Sequence, residues 1–254
     1  MRSLARNTNK HRHHPWHYTL QRAGFWPKIE VSQPIIWIHA VSVGEVHAAF
    51  ALIKALKTQY PNHRFLLTTI TSTGIEYAHK LKESHVVLRV FPIDLACVHR
   101  RLIKQLKPKA LIVLESEFWP NLFTVCKQHH IPILLCNAAM SQRTYRALCQ
   151  LQSWSQSCMA AVKAVAAQHP QAKQCYQALC QSNTAIQVFE NLKYDAKPIA
   201  YNPQRLKAIQ SAFASKASCI GIISSHEAEE PRDAARLRAC RPWRCPERPA
   251  VHRP

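Results

Sequence analysis

The chain has 254 residues, 47% of them hydrophobic, with 34 Lys and Arg against 14 Asp and Glu, a formal net charge of +20, and only 4 Gly. That length fits one large or two small domains, and an ordinary apolar fraction excludes a wholly disordered chain. So few glycines exclude a collagen or a flexible Gly-rich chain, and no run reaches the roughly 18 apolar residues of a membrane-spanning helix.

Residues 1–30 form a basic leading segment with six Lys and Arg and a single acid, Glu30. It lacks the apolar core of a secretory signal. The histidines His11, His13, His14 and His17 lie in no recognisable element, so they read as surface residues and not as a metal site. From there the chain alternates strands and helices. Residues 35–41 (IIWIHAV) are a short β-branched run of buried-strand type. They are followed by Ser42-Val43-Gly44-Glu45 and, from Val46, by apolar residues at helical spacing. The unit repeats. Residues 65–70 lead to Thr71-Ser72-Thr73-Gly74 and a helix, residues 86–91 to Pro92-Ile93-Asp94 and a helix, and residues 109–114 to Glu115-Ser116-Glu117 and a helix. Residues 132–136 lead to Asn137 and a helix from Ser141, and weaker strands follow at 164–167 and 186–189. Such alternation predicts a parallel sheet covered on both faces, a doubly wound α/β domain.

In open parallel sheets ligands bind beyond the carboxyl ends of the strands, so the loops after the strands are the places to search. Gly44 stands where a strand turns into a helix, which calls for an unusual backbone angle or a close ligand approach. Glu45 falls in the first helical turn, where the helix dipole favours its ionised form and makes it a candidate general base; the plain alternative is a helix-start acid. Glu115 follows the apolar run Leu111-Ile112-Val113-Leu114 and is either a group at the mouth of the strand or a salt-bridged rim residue. Thr71 to Gly74 could offer backbone N–H groups to a phosphate, although the Gly-Lys-Ser of a P-loop is absent. Lys193 reads from the pattern first as a solvated loop lysine, with a site cation as the alternative, and His39 as packing or as site support.

Ten cysteines are spread from Cys97 to Cys245 in a chain large enough to bury its own core, so they are not read as a disulfide framework. Cys97, Cys126, Cys136 and Cys149 sit among aliphatic residues and are expected to act as small core hydrophobes. Cys240, Cys245 and His252 give no zinc prediction. The last segment, residues 231–254, changes composition abruptly: seven Arg, five Pro and no Lys, where the preceding 230 residues favour Lys. It reads as a disordered tail or as translation in a wrong frame.

Six segments become specific when taken together: HAVSVGEV at 39–46, TTITSTG at 68–74, ESEFWPNL at 115–122, ILLCNAAMS at 133–141, NLKYD at 191–195 and SHEAEE at 225–230. In this order they resemble the bacterial Kdo transferases, which move 3-deoxy-D-manno-octulosonic acid (Kdo) from CMP-Kdo to a lipid A precursor in lipopolysaccharide synthesis. Residues 18–27 (YTLQRAGFWP) resemble the family's approach to its first strand. The resemblance implies a GT-B fold of two Rossmann-like domains, with an acceptor-side domain over residues 31–200 and a linker and start of a nucleotide-sugar domain over 201–230.

The resemblance also assigns roles. Glu45 matches the family's proton acceptor, and Glu115 and Lys193 match positions that stabilise the transition state. Ser42, Gly44, Thr73, Gly74, Asn137, Asn191, His226, Glu227 and Glu230 fall in its substrate-binding loops. It implies no cofactor and no metal, CMP-Kdo being the donor substrate, and a peripheral position on the cytoplasmic face of the inner membrane with no nucleic-acid partner. Three departures stand out. The family's apolar anchor helix is missing, Glu190 and Ala228 stand where the family has Gly, and the likeness stops at Glu230. The chain therefore reads as truncated at both ends, with an inactive gene fragment or a basic nucleic-acid-binding protein as the alternatives to an active transferase.

Overall fold

A computed structural model describes residues 15–30, 32–81, 83–115, 117–192 and 204. By compactness the chain divides into Met1–Pro198 and Ile199–Pro254, and the elements below belong to the first of these units. Seven strands form a single parallel sheet: β1 (Ile35–His39), β2 (Arg64–Thr69), β3 (Val86–Val90), β4 (Ala110–Leu114), β5 (Ile133–Ala138), β6 (Val162–Ala167) and β7 (Ala185–Val188). Their spatial order is β3-β2-β1-β4-β5-β6-β7. All seven predicted strands are present, and the α/β architecture is as expected.

Alternation along the strands explains the apolar runs. In β1 the side chains of Ile35 and Trp37 enter one core, while Ile36 and Ile38 enter the other. In β4 Leu111 and Val113 face the first core, and Ile112 and Leu114 the second. A strand buried on both faces has no polar side to display, so it reads as an unbroken hydrophobic stretch. Trp37 is fully buried, and its indole N–H is satisfied by donating to Thr68 Oγ1 at 2.9 Å.

The helices that follow the first five strands are α2 (Val43–Gln59), α3 (Ser72–Leu81), α4 (Ala96–Leu106), α5 (Pro120–Gln128) and α6 (Gln142–Gln150); α7 (Gln152–Met159) and α8 (Pro170–Leu179) lie further along the chain. Apolar spacing places the start of α2 at Val46, yet the helix begins at Val43, because Ser42 and Glu45 close its first turn. An unforeseen helix, α1 (Pro15–Arg22), opens the described chain. With the segment behind it, α1 covers the outer edge of β3: Gln21 Oε1 accepts from Val90 N, and the Trp26 indole N–H donates to Val90 O at 3.0 Å. Side chains thus occupy peptide groups that an open sheet edge would offer to other strands. Gly24 makes this approach possible, since its φ of +79° is left-handed and a Cβ there would meet Val98 Cγ1 at 2.4 Å.

The cysteine expectation needs correction. Cys126 is buried, but Cys97 and Cys149 are exposed, because each falls on the outer face of its helix. Burial pushes the Cys126 thiol up to about 12 and the Cys136 thiol up to about 11, so the reactive thiolate is suppressed at both. Limited alkylation of the native chain at neutral pH, followed by peptide mass analysis, is expected to label Cys97 and Cys149 well before Cys126 and Cys136. Early modification of Cys126 would contradict this burial.

Candidate active site

The strand order fixes where the site lies. Connections from β1 run outward through β2 to β3, and the chain then returns to place β4 on the other side of β1. The carboxyl ends of β1 and β4 therefore flank a topological switch point, where α/β sheets open a crevice. Glu45 follows β1 and Glu115 follows β4, so the two candidate carboxylates stand on either side of it.

Glu45 is built into a capping box. The Ser42 hydroxyl accepts from Glu45 N at 3.4 Å, and the Glu45 carboxylate accepts from Ser42 N at 3.3 Å, from Ser42 Oγ at 2.8 Å and from Val41 N at 2.7 Å. A carboxylate offers about four acceptor positions, so this cage leaves room for roughly one more donor. The side chain is buried. Its burial raises the pKa above the ordinary glutamate value and the like charge of Glu115 adds to this, while the Val41 and Ser42 donors pull it back. The helix-dipole argument for an easily ionised group is thus outweighed by desolvation. A base of raised pKa binds a proton more tightly once ionised, which suits proton abstraction.

Glu117 joins this pair. Burial raises its pKa, as do the charges of Glu45 and then Glu115, which places all three carboxylates within electrostatic reach of one another. The sequence signal for Glu117 is the doubled acid of Glu115-Ser116-Glu117, which by itself assigns it no role. Glu115 itself has φ +60°, in the left-handed region, and its N–H donates to Cys136 O at 2.9 Å. The backbone turns sharply out of β4 at that residue. Asn137 shows the same geometry, with φ +55°. The β5 register against β6 shifts between Leu135 and Ala138, so Asn137 sits in an irregularity that re-aims its side chain. Left-handed non-glycine residues are uncommon, and two of them at adjacent strand ends is the pattern of a strained functional site. Asn137 is buried; its Oδ1 accepts from Leu192 N at 3.2 Å, and its Nδ2 has no hydrogen-bond partner among the described residues. Asn191, half-buried, precedes Leu192 and is brought to this strand end.

Other expectations fare differently. Gly44 has no left-handed φ; it lies within the first turn of α2, so an unusual backbone angle is not its reason. Thr73 is exposed on the first turn of α3. The N–H of Gly74 is already taken by Thr71 Oγ1 at 3.1 Å, which weakens the phosphate-cradle reading of that loop. His39 is packing: it is fully buried, stacked on Phe91 at 3.9 Å, and burial lowers its pKa to about 3. Lys193, His226, Glu227 and Glu230 lie outside the described residues. Among the described residues no group of three His, Cys, Asp or Glu is arranged to hold a metal, and no helix is long and apolar enough to cross a membrane.

Gly74 has a structural task instead. A Cβ there would lie 2.7 Å from Thr71 Oγ1, 2.8 Å from Thr69 Oγ1 and 3.2 Å from Val41 O. Both hydroxyls donate to Val41 O, and Val41 N holds Glu45. A Gly74→Ala chain is therefore expected to lose about 1–3 kcal/mol of stability through overpacking, seen as a fall of several degrees in Tm by circular dichroism. An unchanged Tm would show that the loop yields freely.

Residues 17–196 match the family described as 3-deoxy-D-manno-octulosonic-acid transferase (kdotransferase). The chain belongs to this family. Its Haemophilus influenzae relative, a 3-deoxy-D-manno-octulosonic acid transferase, is 32% identical over 192 residues, covering 75% of this chain and 44% of the relative. The enzyme of the same name from Rickettsia felis is 28% identical over 203 residues, 78% of this chain and 42% of that protein. The chain thus spans less than half the length of these curated Kdo transferase relatives. Among solved structures, a putative UDP-N-acetylglucosamine 2-epimerase from Listeria monocytogenes shares the fold with TM-score 0.51 at 11% identity, covering 70% of this chain and 51% of that one. Glu45, Glu115 and Glu117 all lie in the matched region.

Proposed function

We propose that this chain carries the acceptor-side, base-bearing half of a GT-B transferase that moves Kdo from CMP-Kdo to a lipid A precursor. The observation that supports it most is the caged, buried Glu45 carboxylate, facing Glu115 across the switch point with about one acceptor position left. In this reading an acceptor hydroxyl donates its hydrogen bond into that position. Its oxygen forms the new bond to the anomeric carbon of Kdo as the bond from that carbon to the CMP phosphate oxygen breaks. The proton passes to Glu45, and the electron pair leaves with CMP.

Glu115, and Glu117 beside it, provide negative potential for the positive charge that develops on the sugar. Lys193 offsets the charge of the departing phosphate. A single phosphate leaves, so no metal or other cofactor is required. Ser42 holds the base, Asn137 and Asn191 line the neighbouring strand end, and His226, Glu227 and Glu230 serve the donor. The acceptor is a lipid, so the enzyme works peripherally at the cytoplasmic face of the inner membrane. The test is transfer of radiolabelled Kdo from CMP-Kdo to a lipid A precursor, run beside a binding assay for that precursor. Transfer supports the whole reading, and acceptor binding without transfer restricts it to the acceptor half. Neither transfer nor acceptor binding, with salt-sensitive DNA binding in their place, would overturn it in favour of a nucleic-acid role.

A further inference from the structure

A second recess lies at the opposite end of the strands from Glu45. It has a volume of about 380 Å³ and is lined by Lys28, Glu30, Arg64, Ser84, Val87 and Arg89, among others. Arg64 opens β2, and Arg89 stands on the edge strand β3. The segment behind α1 supplies Lys28 and Glu30, just after Trp26, which meets the sheet edge.

Its electrostatics are unbalanced. Among the described residues the Arg89 guanidinium donates to backbone carbonyls alone, Leu88 O at 2.8 Å and Pro27 O at 3.1 Å, and its buried Nε has no hydrogen-bond partner. Arg64 donates to Glu30 O at 3.3 Å. Among the described residues the ion pairs are His85 with Glu83 and His99 with Asp94, so none of the three cations here is matched by a carboxylate. Burial lowers the Arg89 pKa, the mark of a cation held partly out of water without a counter-charge. Carbonyl oxygens orient the two guanidinium groups but do not neutralise them. Planar guanidinium forks match the oxygens of a phosphate, and an ammonium and a hydroxyl at the rim complete a donor-only lining apart from Glu30.

We propose that this recess binds a phosphate group, with Arg89 and Arg64 as its principal donors and Lys28 at its mouth. Free phosphate and the headgroup of an anionic phospholipid share this chemistry. Two arms separate them: calorimetric titration of the full chain with inorganic phosphate, and co-sedimentation with phosphatidylcholine vesicles with or without phosphatidylglycerol. Arg64→Gln and Arg89→Gln chains are run in both, Arg64→Gln guarding against loss of the Arg89 contacts to the backbone. Loss of one charge-assisted contact is expected to weaken binding roughly tenfold. Saturable phosphate binding that both variants weaken supports the site with free phosphate as ligand. Sedimentation that requires phosphatidylglycerol and falls in both variants supports it with a headgroup as ligand. Absence of binding in both arms, or binding that Arg64→Gln leaves unchanged, overturns the proposal.

Discussion

Replacing Glu45 by Gln is expected to lower Kdo transfer by about 10²–10⁴-fold, the usual contribution of a positioned base, while the chain still folds and Tm moves by only a few degrees. Glutamine also completes a capping box, but its single amide oxygen keeps either the Val41 N–H, which the carboxylate holds on Oε2, or the Ser42 donors, which it holds on Oε1. The sign of the charge effect follows from the raised pKa of Glu45. A carboxyl whose folded pKa lies above its unfolded value stabilises the fold while protonated, and that contribution is lost as pH rises through the folded value. Above the folded value the ionised Glu45 therefore lowers stability, and in the Gln chain relief of that charge offsets part of the cost of the donor left unpaired. Glu45→Ala, by contrast, should lose both transfer and about 1 kcal/mol of helix capping. Radiolabelled transfer and thermal unfolding, measured on both variants in a transferase-competent preparation, decide the matter. Undiminished transfer by Glu45→Gln would remove the residue from the role of base. In the parent protein, transfer should rise with pH as Glu45 ionises, through a value above that of an ordinary glutamate.

Asp94→Ala is expected to be the most damaging single change away from the carboxylates, at about 2–4 kcal/mol. Asp94 Oδ1 accepts from Leu122 N at 2.9 Å and Oδ2 from Asn121 N at 3.1 Å, so it caps the first turn of α5 from another loop. The Asn121 side chain donates to Asp94 O at 2.7 Å, and fully buried His99 meets Oδ1 at 2.9 Å. Removing the carboxylate strands the Leu122 N–H and the buried His99 imidazole, each with its own desolvation cost, and leaves the exposed Asn121 N–H to water. Burial works against ionisation of Asp94, but the bonds from His99, Asn121 and Leu122 outweigh it and the net pKa is lowered. This stabilisation is therefore present above the unfolded value of about 3.9 and is lost as pH falls through the lower folded value. Denaturant unfolding of the parent and of Asp94→Ala should differ most at neutral pH and converge in acid. A gap that stays undiminished as the pH falls into strong acid would mean that packing, not charge, makes the difference. Because α5 follows the Glu115–Glu117 turn directly, this cap also steadies the second wall of the site.

The strands were legible because burial on both faces leaves a mark that needs no tertiary knowledge: an unbroken β-branched run such as residues 35–38 can only satisfy itself inside a covered parallel sheet. Helix α1 was not legible. Its eight residues, PWHYTLQR, carry little apolar content of their own, and it is held by Arg22 donating to Phe91 O at 2.6 Å and Tyr18 to Ile70 O at 3.1 Å, contacts 69 and 52 residues away in sequence. The outward placement of Cys97 and Cys149 was hidden for a related reason, since aliphatic neighbours in sequence do not say which face of a helix meets the core.

The order of residues by itself determined the alternation of seven strands with helices, the family, and the loops in which Glu45, Glu115, Asn137 and Asn191 would be found. These follow from local pattern, because strand burial and motif spacing are written in consecutive residues. The tertiary structure alone decided that β1 and β4 are neighbours, that Glu117 completes a trio with Glu45 and Glu115, that Glu45 is buried and raised in pKa, and that Asp94 caps a distant helix. Each of these depends on distance and desolvation between segments far apart in the chain, and both quantities come into being only when the sheet is assembled.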